Sequence, residues 1–574
     1  MNVKTNRAAL FASAVFFLMT GCPGNNGDPA LQGTVEITLP TFFWVGSTLA
    51  ANVSGLSPNA IPAFQWERRI GASGTFNAIP GATAETYTLT LADDNRQIRV
   101  VVSSPGFSTS IPSEPTATVR RLPVADQLEA LREMETLPAE ITITTGMPEE
   151  WLDTQMLAFD EGDEREIEIT LTGTPGDVLR LNNPGFMFAL GRNVTLTLKD
   201  VELRGIANNT SALVGVGAYS TLVMMDGARI TGNVNTNNNM QDDMSFGGGV
   251  LVSGRASFVM RGGAIDHNEA RVGGGLVNGG DFTMYDGMIS DNVARVQGGG
   301  VRLIGTGNAN MFGGTVSRNT TPDLAAGVLA DQSATFTMHG GDISDNTAGR
   351  VGGGVTAFGT FVMESGNISG NTAAEDGGGV AVAPGVGIFI MRGGVIADNT
   401  AAEWDGGGVA NGNIFTMYDG VVSGNNAGNE GGGVFVAWHS TFDMRGGRIS
   451  GNRAAWGGGI ANGAGTLRIS DGIIHGSNAE SGDRNTAFAW AAVGNRRRYD
   501  EPDIPYLAEH GRFNGNDFER VGDLNSTGDT IEVVNGVLIS PLSLGVDTGG
   551  AWRPAIRMSP ALSELSLSRT IFDR

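Results

Sequence analysis

Apolar and polar positions alternate over most of this chain, so the elements it predicts are strands. Between 31 and 121, Val35, Ile37 and Leu39 alternate with polar residues. So do Leu49, Ala51 and Val53, then Phe64 and Trp66, then Tyr87, Leu89 and Leu91, then Ile98, Val100 and Val102. A last short strand is expected at 116–119, just after Pro115. Turn residues such as Gly55, Ser57-Pro58, Pro80-Gly81 and Pro105-Gly106 separate these runs at roughly the 8–12-residue spacing of an all-β sandwich. Residues 122–164 break the alternation. Ala125 to Met134 combines helix formers with apolar residues at helical spacing and predicts a short helical cap, followed by a polar, acidic stretch. Alternation resumes at Ile167, Ile169 and Leu171 and continues through Val194, Leu196 and Leu198.

Beyond residue 220 the pattern becomes a repeat. Its phrase is F-x-M-x-G-G-x-I-x-x-N-x-A followed by GGGV, as in Phe282-Thr283-Met284-Tyr285-Asp286-Gly287-Met288-Ile289-Ser290-Asp291-Asn292 and then 298–301. The asparagine recurs at 233, 268, 292, 319, 346, 371, 399, 425, 452 and 478; the eight intervals from 268 to 478 cover 210 residues, a period of about 26. Triple glycines recur from 247–249 to 457–459, with Ala325-Ala326-Gly327 in one degenerate unit. A period in the twenties indicates a solenoid or array. Leucine is too scarce for leucine-rich repeats. The glycine density excludes helical repeats, because each interior glycine costs about 1 kcal/mol against alanine. Propeller blades need about 40 residues. A parallel β-helix remains. The fold class is therefore all-β: a β-sandwich at 31–121, a helical cap or linker at 122–164, a long single-stranded right-handed parallel β-helix at 165–480, and a C-terminal cap and irregular tail at 481–574.

In this reading Phe and Met of F-x-M-x point inward and stack coil on coil. The residues after Met form an outer column: Arg261, Tyr285, Phe312, His339, Glu364, Arg392, Tyr418, Arg445 and Ser470. Glycine turns corners at positive φ, and the recurrent asparagine is expected in the left-handed region as the next best residue there. Stacked at one corner, Asn268, Asn292, Asn319, Asn346, Asn371, Asn399, Asn425 and Asn452 form an internal hydrogen-bonding ladder. With coils about 4.8 Å apart, the rod is on the order of 50–60 Å long.

Composition narrows the function classes. Glycine supplies 87 of 574 residues and the formal charge is −23. An acidic chain with only two lysines, Lys4 and Lys199, is not a nucleic-acid binder. One cysteine and five unclustered histidines predict neither a disulfide framework nor a metal centre, and no cofactor is expected. That cysteine is Cys22. Before it stand Lys4 and Arg7, an apolar run from Ala8 to Met19 too short to span a bilayer, and small residues. Met19-Thr20-Gly21-Cys22 resembles a bacterial lipobox. The resemblance implies a signal peptide at 1–22, lipid attachment at Cys22, and a tether at 23–30, with three acyl chains sufficient for stable anchoring. Pro23 is not the Asp that marks inner-membrane retention, so an outer-membrane location is expected.

Two further resemblances follow from the residues above. The stretch around Gln65-Trp66 and Gly81–Leu89 resembles bacterial Ig-like and fibronectin-type modules; with no cysteine pair, Trp66 is expected to pack on aliphatic side chains. The array from about 220 to 480 resembles the glycine-rich repeats of polymorphic outer-membrane proteins and related β-helical adhesins, and implies a pectate-lyase-like solenoid. It implies a non-catalytic adhesion or interaction surface on an outer-membrane lipoprotein, with a host or envelope protein or a glycan as partner, and a monomer. The alternatives are a carbohydrate-active β-helix enzyme, a polysaccharide lyase or glycosidase, and a surface antigen or spacer without fixed ligand.

Candidate chemistry is sparse. Asp291 and Asp345 stand two coils apart, about 9.6 Å, near the upper end for an inverting glycosidase pair, but Arg318 lies between them and would lower both carboxyl pKa values. The residues two past each triple glycine carry no regular acids, unlike a calcium-binding nonapeptide repeat. A column before the triple glycines holds Glu375-Asp376, Glu403-Trp404-Asp405, Asn429-Glu430 and Ala455-Trp456. Glu403, Trp404, Asp405, Glu430 and Trp456, with Trp438 on a later loop, form a candidate acidic and aromatic ligand patch.

Overall fold

The computed structural model describes residues 28–40, 43–134, 139–158, 166–239, 246–463, 465–476 and 479–487, together with strands 493–495, 531–534 and 537–538. The chain divides into two compact units, 1–121 and 122–574.

In the first unit two small antiparallel sheets share one core. One runs Thr34–Thr38, Thr48–Ser54, Thr86–Thr88; the other runs Asn77–Ala78, Ala63–Ile70, Arg96–Ser103, Ile111–Pro112. Leu49, Trp66, Ile98, Val100 and Val102 are wholly buried between them. Trp66 does not rest on aliphatic groups alone: its ring stacks on Tyr87 at 5.7 Å and its Nε1 donates to the Ala84 carbonyl at 2.9 Å. Tyr87 in turn donates to Asp93 at 2.7 Å, a buried carboxylate that also accepts from Thr90 and Arg68. Burial, and then Asp93, push the Tyr87 phenol up to about 12. The strand expected at 116–119 is not a regular one. Pro115 cannot donate, and the side-chain oxygens of Ser113 and Thr116 accept the main-chain bonds of Val100 and Ile98 instead.

The second unit opens with one α-helix, Val124–Arg132. Its buried Val124, Leu128 and Leu131 lie over the first coil. Gln127 fastens it, donating to the carbonyls of Leu122 and Thr144 and accepting from the Thr144 amide. The solenoid begins earlier than the 165 boundary read from the alternation. Strands Glu140–Thr144, Glu149–Leu152 and Gln155–Leu157 are already in parallel register with Ile167–Thr172, Val178–Leu181 and Phe188–Leu190. The acidic residues there do local work: Glu150 accepts from the amides of Val124, Gly146 and Met147.

From there each coil adds strands to a parallel solenoid. The F-x-M-x and x-I-x strands join one large sheet, the V-x-V strands after the triple glycines form a 13-stranded sheet, and the short strands after the ladder asparagine form a third. Inward stacks hold the coils together. Phe336, Phe361, Phe389, Phe415 and Phe442 succeed one another with centroids 5.1, 4.8, 4.6 and 4.5 Å apart and nearly parallel planes. Methionine fills the position two residues on, and every one from Met260 to Met444 is buried. One gap interrupts the aromatic stack. Ala309 stands between Phe282 and Phe336, and a small cavity there is lined by these three with Met284, Met311 and Val328.

The asparagines form a continuous ladder. At each rung the main-chain N–H and the side-chain Nδ2 both donate to the Oδ1 of the next asparagine, and Nδ2 also donates to a carbonyl of the preceding coil. For Asn399 these distances are 3.0, 2.9 and 2.9 Å, the last to Ile368. The same contacts link Asn268, Asn292, Asn319, Asn346, Asn371, Asn425 and Asn452, all with no exposed surface. Beyond Asn452 the next rung is Asn485, while residue 478 of the sequence recurrence lies outside the described residues. On the other side the row continues with single bonds: the Asn233 main-chain N–H donates to Asn268 Oδ1 while its Nδ2 donates to the Ser211 and Gly248 carbonyls, and Asn209 Nδ2 donates to Asn233 Oδ1.

The left-handed residue of this corner is not the asparagine but the one before it. His267, Asp291, Arg318, Asp345 and Asp398 have φ between +52° and +57°, and Gly370, Gly424 and Gly451 occupy the same place. This frees the asparagine to turn its amide into the coil. Room for that amide comes from the third glycine of each triplet. A Cβ on Gly379 would stand 3.0 Å from Asn399 Nδ2 and 2.6 Å from the Gly408 carbonyl oxygen.

Candidate functional site

Three features of the solenoid carry the candidate residues: the column after the methionines, the column before the triple glycines, and the turn around Trp438.

The column after the methionines is solvent-facing and chemically varied. Tyr285, Phe312 and Tyr418 are each nearly half exposed. Because successive strands place these side chains one above another, Tyr285, Phe312 and His339 stack at 5.3 and 4.4 Å with planes 14° and 5° apart. Arg261 caps the stack over Tyr285, Arg392 pairs with Glu364, and Arg445 lies over Tyr418.

The candidate patch is divided by the structure. Asp405 and Glu430 stand in consecutive coils of the column before the triple glycines, with Asp376 preceding them, and Glu430 is bridged in parallel to Trp456. All three residues are buried, Asp405 completely. In earlier coils the same place holds Leu324 and Val351, part of an apolar cluster with Ala381 and Ala383. Asp405 Oδ1 accepts from the Glu430 amide and from Asn429 Nδ2, both at 2.9 Å, and the Asp405 amide donates to Asp376 Oδ1 at 3.2 Å. Burial first, then the neighbouring Asp376 and Glu430, raise the Asp405 carboxyl well above the ordinary carboxylate range. Of the remaining patch residues, Glu403 is exposed, Trp404 half-buried and Trp456 40% exposed. Trp438, 56% exposed and against the His439 ring, lies in the turn after strand Val434–Val436, whereas Trp456 precedes strand Ile460–Asn462. The accessible part of the patch is thus aromatic, with one acid.

The Asp291 and Asp345 column holds a salt bridge where a general acid would be needed. Arg318 donates Nε to one Asp291 oxygen at 2.9 Å and Nη2 to the other at 2.8 Å. That bond is the main cause holding the Asp291 carboxyl below its usual value. Such a group stays ionised at neutral pH and has no proton to give. Among the described residues no group of three or more His, Cys, Asp or Glu is placed to hold a metal ion. Among them, too, no helix is long and apolar enough to cross a membrane. Cys22, the expected lipid attachment point, lies outside the described residues.

No family model matches the chain, and no curated protein or solved structure does either.

Proposed function

We propose that this chain is a lipid-anchored protein of the bacterial outer membrane whose solenoid works as a non-catalytic interaction surface. The observation that carries the reading is the contrast between inner and outer columns. Methionine repeats at the inward position from Met260 to Met444, while the next residue outward changes through Arg, Tyr, Phe, His, Glu, Arg, Tyr and Arg. A scaffold that holds its interior constant and varies a fixed row of exposed side chains is suited to recognition by contact. Arg318 neutralising Asp291 weighs against the glycosidase alternative. The anchor follows from Met19-Thr20-Gly21-Cys22, and the adhesin reading from the glycine-rich repeat. The partner class is an envelope or host protein, or a glycan.

Two measurements test this. Palmitate labelling of cells expressing the intact chain is expected to be lost in Cys22→Ser, with the protein released to the soluble fraction; labelling unchanged by that substitution refutes the anchor. Binding of the intact chain to a glycan array and to envelope extracts is expected to depend on outer-column residues Tyr285, Phe312 and Tyr418. Depolymerisation of any polysaccharide by the purified chain would replace the interaction reading with the enzymatic one.

A further inference from the structure

Along the solenoid, arginines repeatedly meet carboxylates one coil away. Arg350, two residues before its triple glycine, shows the pattern: it lies 3.1 Å from Asp323 on one side and 3.4 Å from Glu375 on the other. Arg271 holds the same position three coils earlier, in opposite surroundings. Its strand, Glu269–Val272, pairs with Val293–Gln297 so that Ala270 faces Ala294 and Val272 faces Gln297. The irregularity between those pairs brings Arg295 and Val296 alongside Arg271. Ala270 and Val272 are buried, so alternation turns Arg271 outward. Arg302, on the strand after the next triple glycine, completes a group of three.

Two of the three are spoken for. Arg295 donates to Glu269 at 2.8 Å and to the Asn235 carbonyl at 2.6 Å, and Arg302 to Asp331 at 2.9 Å. Among the described residues Arg271 has no hydrogen bond or ion pair. Partial burial, then the charges of Arg302 and Arg295, push its guanidinium below the ordinary value. Like charges on adjacent strands are destabilising. In a chain of formal charge −23, a cationic group with no carboxylate partner among the described residues is a departure from the local pattern, and such departures collect where function requires them.

We propose that Arg271, flanked by Arg295 and Arg302, binds the carboxylate or sulfate group of an acidic glycan. The planar guanidinium offers forked donors that match two oxygens of such a group. Arg295 and Arg302 keep their own partners and supply the positive field. The choice of a glycan rests on the interaction reading above; the oxyanion site itself does not.

The test is calorimetric titration of the intact chain with inorganic sulfate, an oligouronate, a sulfated oligosaccharide and a neutral oligosaccharide of equal length. At least one acidic oligosaccharide is expected to bind, more weakly as salt rises, and the neutral one is not. Arg271→Gln is expected to weaken that binding about tenfold or more, and Arg350→Gln to leave it unchanged. The two acidic arms identify which oxyanion is preferred. Equal binding by the parent and Arg271→Gln overturns the site while leaving the interaction reading intact. Sulfate binding without either acidic oligosaccharide overturns the glycan assignment. Arg271→Gln that binds normally but melts lower overturns it as well, and shows that Arg271 serves the stability of the fold instead.

Discussion

Replacing Asn399 by alanine tests how much the ladder contributes and how far its influence reaches. The side chain makes four hydrogen bonds. Its Nδ2 donates to the Ile368 carbonyl and to Asn425 Oδ1, each at 2.9 Å, and its Oδ1 accepts from the main-chain and side-chain N–H groups of Asn371, each at 3.0 Å. Alanine removes all four and leaves the buried Asn371 amide without its acceptor. At about 1 kcal/mol net per bond the loss is about 4 kcal/mol. Each coil touches only its neighbours, so the loss should be local. Hydrogen exchange followed by mass spectrometry on the intact chain reads both quantities. Protection is expected to fall by roughly a thousandfold in the coils of Asn371 and Asn399, and to stay unchanged around Asn233 and Asn268. His339→Ala, on the outer column, is the control and is expected to change stability by less than about 0.5 kcal/mol. A loss at Asn371 below about 1 kcal/mol would refute the energetic argument. An equal loss along the whole rod would refute the locality.

Gly379→Ala is expected to destabilise by at least about 2 kcal/mol in urea unfolding, because the new Cβ meets the Gly408 carbonyl at 2.6 Å and the ladder amide at 3.0 Å. Asp405→Asn is expected to raise the melting temperature at neutral pH. With its folded pKa above its unfolded one, the folded chain holds the Asp405 proton more tightly than the unfolded chain, so its contribution falls as pH rises from about 4 toward the folded pKa. Asparagine keeps the acceptor for Glu430 and Asn429, and the melting temperature should lose part of its downward slope over that window. Ala309→Val is expected to stabilise by about 1 kcal/mol by filling the gap between Phe282 and Phe336; a lower melting temperature would mean that the neighbours have already closed it. Tyr87→Phe is expected to cost about 1–2 kcal/mol in the first unit through the lost bond to Asp93, and to remove an ultraviolet phenolate transition near pH 12.

What the sequence made legible was whatever repeats at a fixed offset. Phe, Met and Ile sit at constant spacing, so their inward stacking follows from strand geometry, and the asparagine recurrence announces a ladder. The rung at Asn485 was not legible, because it follows Asn452 by 33 residues where the period is about 26. The rung at Asn209 was hidden because the early coils lack the repeat phrase. The first coil was hidden for a different reason: Glu149 and Glu150 read as a solvated linker, yet Glu150 is occupied by amides of the cap. The burial of Asp405 could not be read from Glu-Trp-Asp-Gly-Gly-Gly at all. It depends on how the wall folds back beside the V-x-V sheet, whose central residues, such as Ala381 and Ala410, are buried as well. Arg271 likewise reads as one more surface charge until the register shows Arg295 beside it.

The ladder has a sense of direction. From Asn268 to Asn452 every side-chain amide hands one hydrogen to the asparagine of the next, C-terminal coil, so the small dipoles add along the axis rather than cancel as they do between neighbouring strands. Main-chain groups seal both termini of the row: the Gly185 and Thr210 amides give to Asn209 Oδ1, and Asn485 gives to the His475 carbonyl. The row is therefore closed within the solenoid, since the coils of 140–157 and 167–190 still precede its first member. The polarity of the interior thus begins and ends on main-chain groups of the protein itself.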